Sequence, residues 1–131
     1  AERFNQVVVT GPSIFGWNAT LKFLNDLGIN KIEKRVRRLG GYAIERLEDI
    51  GCKVLTPIDP AKRHGLIVYT TGSDEKDTKS FQRFSGPPRG EKPIIVSYRG
   101  QAGIAGIRVC THFFNTEEDI DKLITVQKTL M

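Results

Sequence analysis

Residues 32–50 carry an apolar stripe that dictates a helix. Ile32, Val36, Leu39, Ala43, Leu47 and Ile50 recur at steps of 4, 3, 4, 4 and 3, the spacing at which one face of an α-helix returns. A helix that is apolar on one side needs something in the chain to pack against. Asn30 stands where an N-cap is needed and Gly51 where the helix must stop. Gly40-Gly41 interrupts the middle, and each glycine costs up to about 1 kcal/mol relative to alanine there. A helix that keeps such a pair either packs tightly on another backbone at that point or bends.

The partners for this stripe are short. Val7-Val8-Val9 reads as a strand or extended arm that ends in Thr10-Gly11-Pro12. Ser13 then caps a first helix over residues 13–27, with Ile14, Trp17, Leu21 and Leu24 on its apolar side and Gly28 closing it. Strands are expected at 52–55, 66–70, 94–98 and from 107 to about 110. A short polar helix is expected over 73–85, with Phe81 and Phe84 on one side. Residues 86–90 read as a loop, and the glycine-punctuated stretch 100–106 as a loop joining the last two strands. Thr116 and Asp119 form a short acidic version of the capping box for a last helix, whose buried stripe is Ile120, Leu123, Ile124 and Leu130. This order predicts an α+β domain: a small, mainly antiparallel sheet with helices packed against it.

With 131 residues and 39% apolar content, the chain has the size of one domain with a real core. Disorder, collagen and disulfide scaffolds are excluded by composition. The longest apolar runs are far below the roughly 20 residues of a spanning helix, so no membrane partner is expected. Cys52 and Cys110 have no metal-ligand spacing and read as reduced thiols of a cytoplasmic protein. The first residue is Ala1, which fits a trimmed methionine or a piece of a longer protein.

A net charge of +5 permits an anionic partner without requiring one. Lys31, Lys34, Arg35, Arg37 and Arg38 cluster on the polar side of the second helix, but Glu33 interrupts them and Glu45, Glu48 and Asp49 follow. No stacking aromatics are interleaved, so a solvated helix face is preferred to a nucleic-acid surface. Asp74, Glu75 and Asp77 read as a helix N-terminus complementing its dipole. His64 reads as a surface residue. Arg108 is different, because it lies inside an apolar strand. If that face is buried, the guanidinium needs an anion, from this protein or from a ligand, and its planar fork suits a carboxylate. His112 follows four residues later at a strand-to-helix junction, where polar side chains often face a cleft. No nucleophile–base pair, paired carboxylates or metal motif accompanies them, so no catalytic or metal-binding residue is assigned.

The segment Gly106-Ile107-Arg108-Val109-Cys110-Thr111-His112-Phe113-Phe114-Asn115-Thr116-Glu117-Glu118-Asp119-Ile120-Asp121 resembles the C-terminal signature of class V aminotransferases, the pyridoxal-phosphate enzymes that include cysteine desulfurases, selenocysteine lyases and isopenicillin-N-epimerase-like proteins. Residues 29–33 with Arg37, residues 51–57 and Ser97-Tyr98-Arg99-Gly100 resemble other parts of that family's small domain. The resemblance implies that residues 13–131 are the C-terminal small domain of a fold-type I transferase and that residues 1–12 are an arm or linker from a large domain. It implies that Arg108 holds a substrate α-carboxylate, with His112 and Arg99 near the same cleft. It also implies a homodimer, an amino-acid substrate and pyridoxal phosphate held mainly by the large domain. The family's His-Lys dipeptide, which marks its cofactor lysine, is missing here. So is the Gly-Thr pair that reaches the cofactor phosphate, where Val7-Val8 stands instead. Cys110 lies inside the strand signature, and the resemblance does not make it the mobile nucleophile of a desulfurase.

The expected function is therefore the carboxylate-clamping domain of such an enzyme, inactive by itself. The alternatives are a stand-alone, non-catalytic module for a small carboxylate or a protein partner and, third, a basic nucleic-acid-binding domain.

Overall fold

The computed structural model describes residues 11–101 and 104–131. The arm expected over residues 1–12 falls almost wholly outside them, and so does the Val7-Val8 departure. The chain forms two compact units, one ending at Ile32 and one comprising Glu33–Met131. Helix α1 (Gly11–Leu27) belongs to the first. It starts two residues before Ser13, so Ser13 lies within the helix. Gly28 closes it at φ 92°, its N–H donating to the Leu24 carbonyl at 3.0 Å. The same Gly28 carbonyl then accepts from Lys31 and Ile32. Helix α2 (Ile29–Asp49) therefore begins at this glycine, and Asn30 sits in its first turn and not at its cap.

The second unit has the expected α+β architecture. Strands β1 (Lys53–Val54), β2 (Leu66–Thr70), β3 (Ser97–Gln101) and β4 (Ile104–Cys110) form one sheet in the order β1-β2-β4-β3, every pair antiparallel. Helix α3 (Asp74–Ser85) lies between β2 and β3 in sequence, and α4 (Glu117–Lys128) follows β4. The third strand starts at Ser97, three residues later than expected. Of the stretch expected as a loop, residues 100–101 and 104–106 belong to paired strands, Gly100 with Ala105 and Gln101 with Ile104, and residues 102 and 103 lie outside the described residues. At Gly106 an added Cβ would lie 2.6 Å from the Tyr69 carbonyl oxygen, so any other residue there would have to displace the backbone.

The core lies between the sheet and α2, α3 and α4. Leu39, Ala43, Ile44 and Leu47 of α2 meet Ile67 and Tyr69, Ile107, Phe84, and Ile120, Leu123 and Ile124. Of the stripe read from the sequence, Leu39, Ala43 and Leu47 are buried together with Ile44, and Ile32, Val36 and Ile50 are half-buried. Gly40 answers the packing question: its ideal Cβ position is 3.0 Å from the His64 carbonyl, and α2 continues through it. The Arg63 guanidinium lies over the same glycines, its Nη1 buried without a hydrogen-bond partner.

Buried polar groups fix the helices. Tyr69 Oη donates to Gln127 Oε1 at 2.8 Å, and Gln127 Nε2 donates to Ser80 Oγ at 3.0 Å. Asp77, expected only to complement a helix dipole, is buried and accepts from Thr70 Oγ1, Thr71 N and Thr71 Oγ1 at 2.6–2.7 Å. The Thr116–Asp119 capping box is fully formed. No helix among the described residues is long and apolar enough to cross a membrane.

Candidate functional site

One face of the sheet carries Ile67, Tyr69 and Ile107 into the core. Side chains alternate along a strand, so the opposite face carries Leu66, Val68, Arg108, Cys110, Ser97, Arg99 and Gly106. The register confirms this grouping: Leu66 is opposite Cys110, Val68 and Ser97 are opposite Arg108, and Arg99 is opposite Gly106. Leu66, Arg99 and Cys110 are exposed, and Val68, Ser97 and Arg108 are half-buried. Such one-sided solvation is ordinary for an antiparallel sheet, but a guanidinium in its middle is not.

Arg108 makes one polar contact among the described residues: its Nε donates to Ser97 Oγ at 3.0 Å. No carboxylate among them pairs with it. The two terminal nitrogens, the pair that forms a fork toward a carboxylate, stay available. Arg99 is the diagonal neighbour of Arg108 across the β3–β4 ladder, and such positions lie about 7–8 Å apart. It too has no ion-pair partner among the described residues. Two unneutralised cations therefore share one solvated face, a field that favours an anion between or beside them.

His112 lies beyond the end of β4. Its main-chain N–H donates to Asn115 Oδ1 at 2.8 Å, and its ring stands 4.5 Å from those of both Phe113 and Phe114. The structure thus brings Arg108 and Arg99 onto one face and shows no contact between them and His112. Ser97 stands in the sequence only as part of the Ser97-Tyr98-Arg99-Gly100 stretch, and its role in orienting Arg108 is not visible there. Its signal is positional, since it becomes visible only when strand register is known.

The basic run on α2 has other partners. Arg35 forks onto Glu117 at 3.0 and 3.2 Å and donates to the Asn115 carbonyl at 2.8 Å. Arg38 reaches the same carboxylate at 2.6 Å. Arg37 pairs with Glu33 at 2.8 Å and donates to the carbonyls of Pro60 and Arg63. These arginines hold the start of α4 and the 60–63 loop on α2. Among the described residues no cluster of His, Cys, Asp and Glu could hold a metal ion.

No family model matches the chain. It is similar to the cysteine desulfurase of Escherichia coli (strain K12 / DH10B), with 28% identity over 129 aligned positions that cover 94% of this chain and 30% of the relative. The homology is weak but runs almost end to end. A shorter match, 37% identical over 54 residues, links 41% of the chain to 13% of the probable cysteine desulfurase of Halalkalibacterium halodurans. The chain spans less than a third of the length of the curated relatives it matches.

Proposed function

We propose that this chain is the small α+β domain of a pyridoxal-phosphate-dependent enzyme of the class V aminotransferase type, acting on an amino acid as an aminotransferase or a cysteine desulfurase, and that Arg108 holds the α-carboxylate of its substrate. The observation that carries the reading is Arg108 itself: a guanidinium on a solvated sheet face, oriented by Ser97, with its terminal nitrogens unclaimed among the described residues. The end-to-end similarity to cysteine desulfurases supports it.

The residues present suit the substrate and not the cofactor. Strands β2, β3 and β4, which form the face around Arg108, contain no lysine, so these strands offer no amine for the covalent link to pyridoxal phosphate. In this reading the cofactor belongs to a large domain outside these 131 residues, and residues 1–12 lead from it. When bound, the cofactor supplies an electron sink. The contribution of this domain is orientation: Arg108 fixes one end of the amino acid, so that the bond to be broken keeps a constant direction. Arg99 adds positive potential to the same face. A cytoplasmic homodimer is part of the proposal.

The first test is the size of the native protein, by immunoblot of the source cell against this chain. A band much larger than 14.7 kDa is expected. In that enzyme Arg108→Ala should lower kcat/KM for its amino acid by about two orders of magnitude, because a two-pronged charge-assisted contact is lost. A band at 14.7 kDa would overturn the enzyme reading and leave a stand-alone carboxylate-binding module. Unchanged amino-acid turnover in Arg108→Ala would overturn the clamp alone.

A further inference from the structure

The β3–β4 ladder stops at the pair Ser97–Arg108. The preceding residues Ile94-Ile95-Val96 are apolar and β-branched, yet they do not pair with β4. The direction of the main-chain groups along β4 follows from its other neighbour. The Val68 carbonyl accepts from Leu55 N at 2.8 Å, so Val68 turns its polar groups toward β1. Ile67 and Tyr69 must then bond to their partners Val109 and Ile107, and Thr111 N donates to the Gly65 carbonyl on that same side. Arg108 and Cys110 consequently direct theirs toward β3. Arg108 meets Ser97 there, whereas Cys110 meets no paired strand residue.

What lies there is a cleft of about 380 Å³, within the size range of small-ligand sites. Its walls are residues 93–96 and 109–111, and its floor includes Leu47, Ile120, Leu123 and Ile124. Two cations belong to the lining, Lys92 and Lys122. Lys122 stands 4.0 Å from Asp119. Lys92 has no ion-pair partner among the described residues. Asp119 also lines the cleft and is the carboxylate that faces Lys122, so Lys92 is the charge without a counterpart. The cleft therefore combines an apolar floor, a main-chain donor without a strand partner and an excess of positive charge.

We propose that this cleft binds a medium-length aliphatic carboxylate. Its chain lies on the apolar floor, and its head group is taken by Lys92, Lys122 and the Cys110 N–H. Arg108 does not line the cleft, although Cys110 at its rim turns its side chain to the face that Arg108 shares; the proposal does not rest on the enzyme reading.

Octanoate is the probe, and the reaction of Cys110 with a thiol reagent is the readout. Cys110 is exposed at the rim of the cleft, next to the main-chain N–H that would hold the head group, whereas Cys52 is buried. With the 131-residue chain, saturating octanoate should slow modification of Cys110 at least fivefold. The Lys92→Glu/Lys122→Glu variant, altered only at exposed positions, should keep its circular dichroism spectrum and lose the protection. Arg108→Ala should keep it. Absence of protection by octanoate would overturn the site. Equal protection by 1-octanol would overturn the carboxylate assignment. Loss of protection in Arg108→Ala alone would place the anion on the open sheet face instead and overturn the proposal as well.

Discussion

Arg108 Nε donates to Ser97 Oγ across the last pair of the β3–β4 ladder, at 3.0 Å. The contact uses the nitrogen nearest the side-chain stem and leaves the distal fork free, so Ser97 aims the guanidinium without neutralising it. Ser97→Ala should keep the fold and loosen this aim. A hydrogen bond to a charged group is worth about 1.5–3 kcal/mol, and half-exposure reduces that toward the lower end. The expected result is a roughly 3- to 10-fold rise in KM or Kd for a carboxylate ligand, with an unchanged urea midpoint. Threonine, which keeps the hydroxyl, should restore most of the affinity.

Gly106 should be the least replaceable residue of β4. A Cβ there would sit 2.6 Å from the Tyr69 carbonyl and 3.2 Å from Val68 Cγ1. Gly106→Ala must push β2 and β4 apart, and overpacking of this kind costs about 1–3 kcal/mol. Urea denaturation followed by circular dichroism checks this, and a loss below about 0.5 kcal/mol would mean that the strands adjust freely.

Tyr69→Phe removes one hydroxyl from a buried chain of three side chains. Gln127 Oε1 is then left without its donor in the core, which costs about 1–3 kcal/mol. Ser80→Ala should be milder, because Gln127 Nε2 retains a weak contact with Met131 Sδ at 3.9 Å. Comparing the two denaturation midpoints tests this ranking.

Burial, with a smaller contribution from Asp77, pushes the Cys52 thiol from 9.0 up to about 11. The folded state therefore holds this proton more tightly than the unfolded state does. The stability that this provides is complete below about pH 9 and is lost as the pH rises toward 11. Tyr69 is shifted upward too, chiefly by burial, and extends the alkaline loss. Stability measured from pH 8 to 11 should fall, and fall less steeply in Cys52→Ala. At the acid end, the Thr116 N–H and Asn115 hold the Asp119 carboxyl below its usual value. The stability it provides is present above about pH 4 and fades as the pH drops further, an effect that Asp119→Asn should remove.

Helix α1 contains no buried residue, and Phe15 and Trp17 are 77% and 67% exposed. Apolar side chains displayed in this way promote association. The chain should sediment as more than a monomer at high concentration, and Phe15→Ser/Trp17→Ser should shift it toward the monomer.

Much of this molecule is legible in its order of residues. The period of 32–50 marks α2 and its buried face, because a helix in a small domain must put one side into the core. Thr116 and Asp119 mark the start of α4 because the capping box is local chemistry, closed within four residues. Strand β2 and the end of β4 are equally local, being apolar runs bounded by turn residues. Arg108 stands out for the same reason, as a charge where the pattern calls for an apolar side chain.

Other features depend on partners distant in sequence. Residues 94–96 have every strand propensity and still do not pair, because pairing depends on where β4 and α4 stand. Residues 100–101 and 104–106 look like parts of a loop and pair as strands, because the ladder is settled between β3 and β4 and not by local propensity. Arg35 and Arg38 look like a free basic face until α4 brings Glu117 to them. Propensity and periodicity act over a few residues and leave their mark in the sequence. Register, ion pairing and the opening of a cleft arise between segments tens of residues apart, so only the folded chain decides which face Arg108 shares with Ser97 and Arg99.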